Sequence, residues 1–146
     1  MKFKVEKQEE LAILEIEEEK ITSLIAPELK SELIVLNSAG YRYLIVDLNH
    51  TNIIDSSGLS AMLMANRICS DARGAFALCN LNEHVKKMVT IAQLDKVLNI
   101  IPTRQEAIDN LKLHMLEREL QGESSTPAHE EEELRLENDP GASRNN

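Results

Sequence analysis

The sequence predicts an α/β domain, a mixed sheet of about four to five strands with helices packed on it. Apolar runs of strand length recur at residues 11–16, 43–48 and 75–79. Longer stretches with apolar residues at helical spacing separate them, and glycine or proline punctuates the changeovers. Strands alternating with helices give parallel pairing, and function in such sheets gathers at the carboxyl ends of the parallel strands.

Each element has its own justification. Phe3, Lys4 and Val5 begin a first strand, and residues 11–16 form a second. Pro27 and Glu28 open a helix, with proline in the first turn and an acid at the positive dipole end. Ile25, Leu29, Leu33 and Leu36 give that helix its apolar stripe, and Gly40 supplies a left-handed stop. The run 43–48 is too short for a typical helix and reads as a buried strand. A loop through Asp55, Ser56, Ser57 and Gly58 then turns into a helix of good formers reaching about Asp71. Gly74 marks the next turn, 75–79 the next buried strand, and Val85, Met88 and Val89 a short helix. Residues 97–101 are a further strand candidate. Thr103 and Glu106 form a capping-box pattern that starts the last helix. Its stripe is Ile108, Leu111 and Met115; Leu113, Leu116 and Leu120 make a second, partly exposed one.

Composition bounds the function. A chain of 146 residues fits one ordinary domain, and without tryptophan its core must be aliphatic. Residues 1–120 read as that domain. Residues 121–146 carry seven acidic groups against two basic ones, with Leu134 and Leu136 their only large apolar side chains. Such a segment buries too little surface to offset its ordering entropy, so an unstructured acidic tail is expected. A net charge of −9 argues against a nucleic-acid surface. No apolar stretch approaches the roughly 20 residues that span a bilayer, and the polar N-terminus does not read as a signal peptide. Cys69 and Cys79 match no common zinc spacing and read as reduced, buried thiols. A cytoplasmic protein without membrane contact is the expectation.

The junction carries the chemistry. Ser56 lies where unpaired amides and the helix dipole favour an anion, so phosphorylation of Ser56 is one reading. The other is an unmodified helix-start hydroxyl bonded to a nearby amide. Asp55 either caps the helix or orients the Ser56 hydroxyl, and Ser57 reads as a cap. Gly58 either satisfies a turn or admits close approach by a partner. Leu59 and Leu63 are expected in the core, whereas Met62 is a candidate partner contact unless fully buried. His50, His84, His114 and His129 are scattered without metal-ligand spacing, and the chain has no nucleophile elbow or phosphate-binding loop. No catalytic residue, metal or cofactor is therefore expected. A hydrolase using Ser56 would need a histidine base within hydrogen-bond reach.

Residues 44–48 with Ile53, Ile54, Asp55, Ser56, Ser57, Gly58 and Leu59 resemble a bacterial STAS domain, most closely the anti-sigma-factor antagonists. The resemblance covers about residues 1–118, including 96–100 before the last helix; Ser60 stands where many antagonists have glycine. It implies that Ser56 accepts phosphate from an anti-sigma factor acting as an ATP-dependent serine kinase. A serine phosphatase restores the hydroxyl. The unphosphorylated form would bind the kinase and free a sigma factor, thereby regulating transcription, with Asp55, Ser56, Ser57, Gly58, Leu59 and Met62 at the contact. A STAS module held permanently in a signalling or transport assembly is the alternative.

Overall fold

The computed structural model describes residues 2–122. The stretch 123–146 lies outside the described residues, and with it the expectation of an acidic tail without structure.

Strands β1 (Phe3–Gln8) and β2 (Leu11–Ile16) form an antiparallel hairpin whose turn places Glu9 at φ +54°. Short β3 (Lys20–Ile21) leads to helix α1 (Ala26–Ser38), then β4 (Tyr43–Asp47), short β5 (Ile53–Ile54) and α2 (Ser56–Asp71). β6 (Ala75–Cys79), α3 (Glu83–Ile91), a 3-10 turn at Leu94–Lys96, β7 (Ile100–Ile101) and α4 (Arg104–Leu120) complete the order. The main sheet runs β1-β2-β4-β6-β7, parallel except for the β1–β2 pair; β3 and β5 make a separate parallel ladder.

Register explains why the central strands are apolar throughout. Leu14 lies opposite Val46, and Val46 opposite Leu78, on the face that packs with Leu29 and Leu33 of α1, Met62 and Ala65 of α2 and Val85 of α3. The alternate residues Ile13, Ile45 and Ala77 form a second core with Ala107, Ile108 and Leu111 of α4. Side chains alternate across a strand, so a sheet covered on both faces needs apolar residues at every position.

Most predicted boundaries hold. Pro27 lies in the first turn of α1, Gly40 takes φ +106° beyond its end, and α2 ends at Asp71. The Glu106 amide donates to Thr103 Oγ1 at 3.2 Å, but the Thr103 hydroxyl, not its amide, meets Glu106 Oε1 at 2.8 Å. Three differences matter. The candidate strand at 97–101 shrinks to Ile100–Ile101, because the 3-10 turn takes up the chain before it. Strands β3 and β5 are too short to show a period. At the turn before β6 it is Arg73 that takes positive φ; Gly74 is required because a Cβ there would overlap the Arg42 carbonyl.

Candidate functional site

The β3–β5 ladder builds the site. Ile21 pairs with Ile54, and the Asp55 amide donates to the Ile21 carbonyl at 3.1 Å, so Asp55 leaves the ladder level with Thr22. Asp55 is extended and is the N-cap of α2; its Oδ1 accepts from the Gly58 amide at 3.0 Å. Its Oδ2 accepts from the Ser23 amide at 3.2 Å. One carboxylate thus holds both the helix start and the segment between β3 and α1. The loop before β5 is fixed as well: Thr51 Oγ1 donates to the Glu18 carbonyl at 2.9 Å, and Asn82, the α3 cap, reaches Asn52 Oδ1 at 3.2 Å.

Ser56 is the first residue of α2; it is exposed, and its hydroxyl has no hydrogen-bond partner among the described residues. No histidine there serves it as a base, so the hydrolase reading lacks its second group. Free amides of the first turn and the positive end of the helix dipole lie at this position, with no acid in that turn. Asp55 immediately before it is the nearest negative charge in sequence.

Several expectations are corrected by burial. Met62 is 0 % exposed and packs in the core between α2 and the sheet, so it is no contact residue of the folded domain. Gly58 is buried too; Leu59 is buried as its apolar pattern predicts, which takes it off the contact that the resemblance implied, and Leu63 is only partly buried. A Cβ on Gly58 would stand 2.6 Å from Ile54 Cγ1 and 2.9 Å from the Ile21 carbonyl oxygen. That glycine therefore seats α2 on its own domain's β3–β5 ladder; it does not open the backbone to a partner. Ser57 is half-buried and is not the cap, because Asp55 already fills that role. Asp55, Ser56 and Ser57 remain at the surface.

A second polar cluster, not anticipated from the sequence, lies at the carboxyl ends of β2 and β4. Arg104, which begins α4, meets Glu6 at 2.7 Å, Glu15 at 3.2 Å and Asp47 at 3.3 Å. Asp47 is 3 % exposed and also accepts from Asn80 Nδ2 and the Asn49 amide, each at 3.0 Å. His50, isolated in the sequence, meets Glu15 at 2.8 Å, and that bond is the main cause holding the Glu15 carboxyl below its usual range. Glu15, Glu17 and His50 bring potential ligand atoms within 4.8 Å of one another. Arg104 on Glu15 and Lys4 on Glu17, the latter at 3.4 Å, already supply the counter-charge, so an ion-pair network accounts for the group. Cys69 and Cys79 are buried thiols, pushed up by desolvation to about 12, which keeps them un-ionised and inert at neutral pH. Among the described residues no helix is long and apolar enough to cross a membrane.

Fold and junction together define a small α/β domain with an exposed serine at a carboxylate-capped helix start. Residues 2–107 match the STAS domain family, and the chain belongs to it. A Thermotoga neapolitana protein provisionally named an anti-sigma factor antagonist is 30% identical over 73 residues, which is 50% of this chain and 65% of that protein. The match therefore spans just under two thirds of that relative. The Bordetella bronchiseptica protein BtrV, named in the same provisional way, is 26% identical over 87 residues, covering 60% of this chain and 75% of its own. The anti-sigma factor antagonist SpoIIAA in its unphosphorylated form superposes with a TM-score of 0.66 at 18% identity, over 76% of this chain and 96% of SpoIIAA. That likeness is one of fold.

Proposed function

We propose that this chain is an anti-sigma-factor antagonist of the cytoplasm whose partner contact is switched by phosphorylation of Ser56. The observation that carries this reading is the exposed Ser56 hydroxyl, without a partner among the described residues, at a helix start held by Asp55. The unphosphorylated chain binds an anti-sigma factor and frees the sigma factor that protein would otherwise hold. An anti-sigma factor with kinase activity supplies ATP: Ser56 Oγ attacks the γ-phosphorus, its proton passes to a base on the kinase, and the bond to ADP breaks. A phosphatase reverses the step by hydrolysing the serine ester with water. The names of the Thermotoga and Bordetella relatives support the anti-sigma role.

Physical magnitudes are adequate for such a switch. A phosphoserine adds about −1.5 to −2 charges at neutral pH. One charge about 5 Å from a partner carboxylate costs on the order of 3 kcal/mol at an effective dielectric near 20. That corresponds to roughly a hundredfold in affinity. The amides at the start of α2 accept the same charge within the domain, so the fold survives the modification.

The test is capture from source-cell lysate with wild-type and Ser56→Asp baits. An anti-sigma factor held by the wild type and lost with the variant is the expected result. Equal retention of one partner by both baits would overturn the switch and favour a permanent scaffold.

A further inference from the structure

β1 is the outermost strand of the main sheet, six residues long without proline, and its main contacts are with β2. An uncovered edge of this length is a template for another strand. The register assigns its free backbone groups. The Glu17 amide donates to the Lys2 carbonyl at 2.9 Å, and further along Lys4 lies opposite Glu15, Glu6 opposite Ile13 and Gln8 opposite Leu11. Hydrogen-bonded and non-hydrogen-bonded pairs alternate along an antiparallel ladder, so Lys4, Glu6 and Gln8 bond β2. Phe3, Val5 and Lys7 therefore turn their amides and carbonyls to the open edge. Side chains alternate as well. Phe3 and Val5 pack on the core beneath α1 and α2, whereas Glu6 reaches Arg104 of α4 on the other face, which Lys4 shares.

We infer that the β1 edge pairs antiparallel with β1 of a second copy of this chain, joining two five-stranded sheets into one. Charge selects the register. Val5 opposite Phe3 of the second copy would set Lys4 against Lys4 and leave Lys7 past the end of the other strand. Val5 opposite Lys7 would set Glu6 against Glu6 and leave Phe3 past the end. Val5 opposite Val5 sets Lys4 opposite Glu6 on both sides of the two-fold axis and Phe3 opposite Lys7 at both ends. Like charges directly opposite one another destabilise a ladder, and unlike charges stabilise it. The symmetric register therefore satisfies the outward groups of all three residues and pairs every charge at its centre. Lys4 and Glu6 then form non-hydrogen-bonded pairs, in which the side chains stand closest. A lysine on an edge strand commonly repels a neighbour; here Glu6, two residues on, answers it.

The experiment is sedimentation equilibrium of the full-length chain under reducing conditions. A six-residue strand pair is a small interface, so a reversible dimer with a Kd of roughly 10–100 µM is expected. Val5→Pro removes the central outward amide at a position where an edge strand tolerates proline. It is expected to weaken the dimer about tenfold or more with an unchanged far-UV circular dichroism spectrum. Lys4→Glu sets like charges opposite Glu6 and is expected to weaken the dimer about tenfold. It leaves the backbone unaltered and carries the test if the proline variant fails to fold. Cross-linking with oxidised glutathione reads the register. Val5→Cys is expected to form a disulfide-linked dimer, because residues facing each other across the axis have Cα atoms about 5.5 Å apart. Gln8→Cys would lie roughly 20 Å from its counterpart and is expected to stay unlinked; Cys69 and Cys79 are buried. A wild type that stays monomeric through the expected range overturns the pairing. So does a dimer that Lys4→Glu leaves unchanged, or one that links through position 8 and not through position 5.

Discussion

Asp55 concentrates the residue-scale argument. Its two oxygens bind amides that are 35 residues apart in sequence, Ser23 and Gly58. The cap was legible as one of two roles for an acid before a run of helix formers. The bond to Ser23 was not, since nothing near Asp55 in sequence points to residue 23. Removing a cap costs about 1 kcal/mol, rising to about 2 in the stronger cases. Asp55→Ala is therefore expected to lower stability by about 1–2 kcal/mol, measured as a shift of the urea midpoint with an unchanged slope. Asp55→Asn keeps one carbonyl acceptor for the helix amide and is expected to lose less than the alanine variant.

At the scale of elements, α2 shows how patterning leaves orientation open. Its first turns contain almost no polar face, so the sequence could not tell which apolar side chains the domain keeps for itself. Packing decided this: α2 lies against α1 and the sheet, with Met62 in the core they share, while Gly58 brings the first turn down onto Ile21 and Ile54. Met62→Ala should therefore act as a core truncation, costing about 2–5 kcal/mol in chemical unfolding. The affinity of the remaining folded protein for its partner should not change. Strands β3 and β5, two residues each, escaped the sequence for a different reason. A two-residue strand has no period, and only the pairing of Ile21 with Ile54 makes it one.

For the molecule as a whole, Arg104 ties α4 to the middle of β1 through Glu6 and to the carboxyl ends of β2 and β4 through Glu15 and Asp47. Removing a cation from a buried carboxylate leaves that charge without compensation. Arg104→Met is expected to destabilise the domain by roughly 2–4 kcal/mol at pH 7, less than a fully buried pair because solvent reaches the guanidinium. Acid acts on the same network. Glu15 is held below its usual range chiefly by His50, and Glu6 chiefly by the Gln8 side chain, with Arg104 adding to both. A carboxylate whose pKa is lowered on folding stabilises the native state above its unfolded value, and the benefit is lost as pH falls through the native value. Stability is thus expected to fall below about pH 4.3. The Arg104→Met variant should show a shallower loss there, read from urea midpoints between pH 7 and pH 3.

The sequence by itself determined the fold class, the main strands and helices and the helix start at Ser56, because each rests on local chemistry: a period, a helix-forming run, a breaker. Only the tertiary structure decided which junction residues reach the surface, since burial depends on what packs against them. It moved Gly58 and Met62 inside, left Ser56 out, and joined Ser23 to the same junction through Asp55. It also gathered Glu6, Glu15, Asp47, His50 and Arg104 into one ion-pair network. Charges that far apart along the chain meet only because the pairing of β1, β2 and β4 sets them side by side near the start of α4, and no local pattern encodes that pairing.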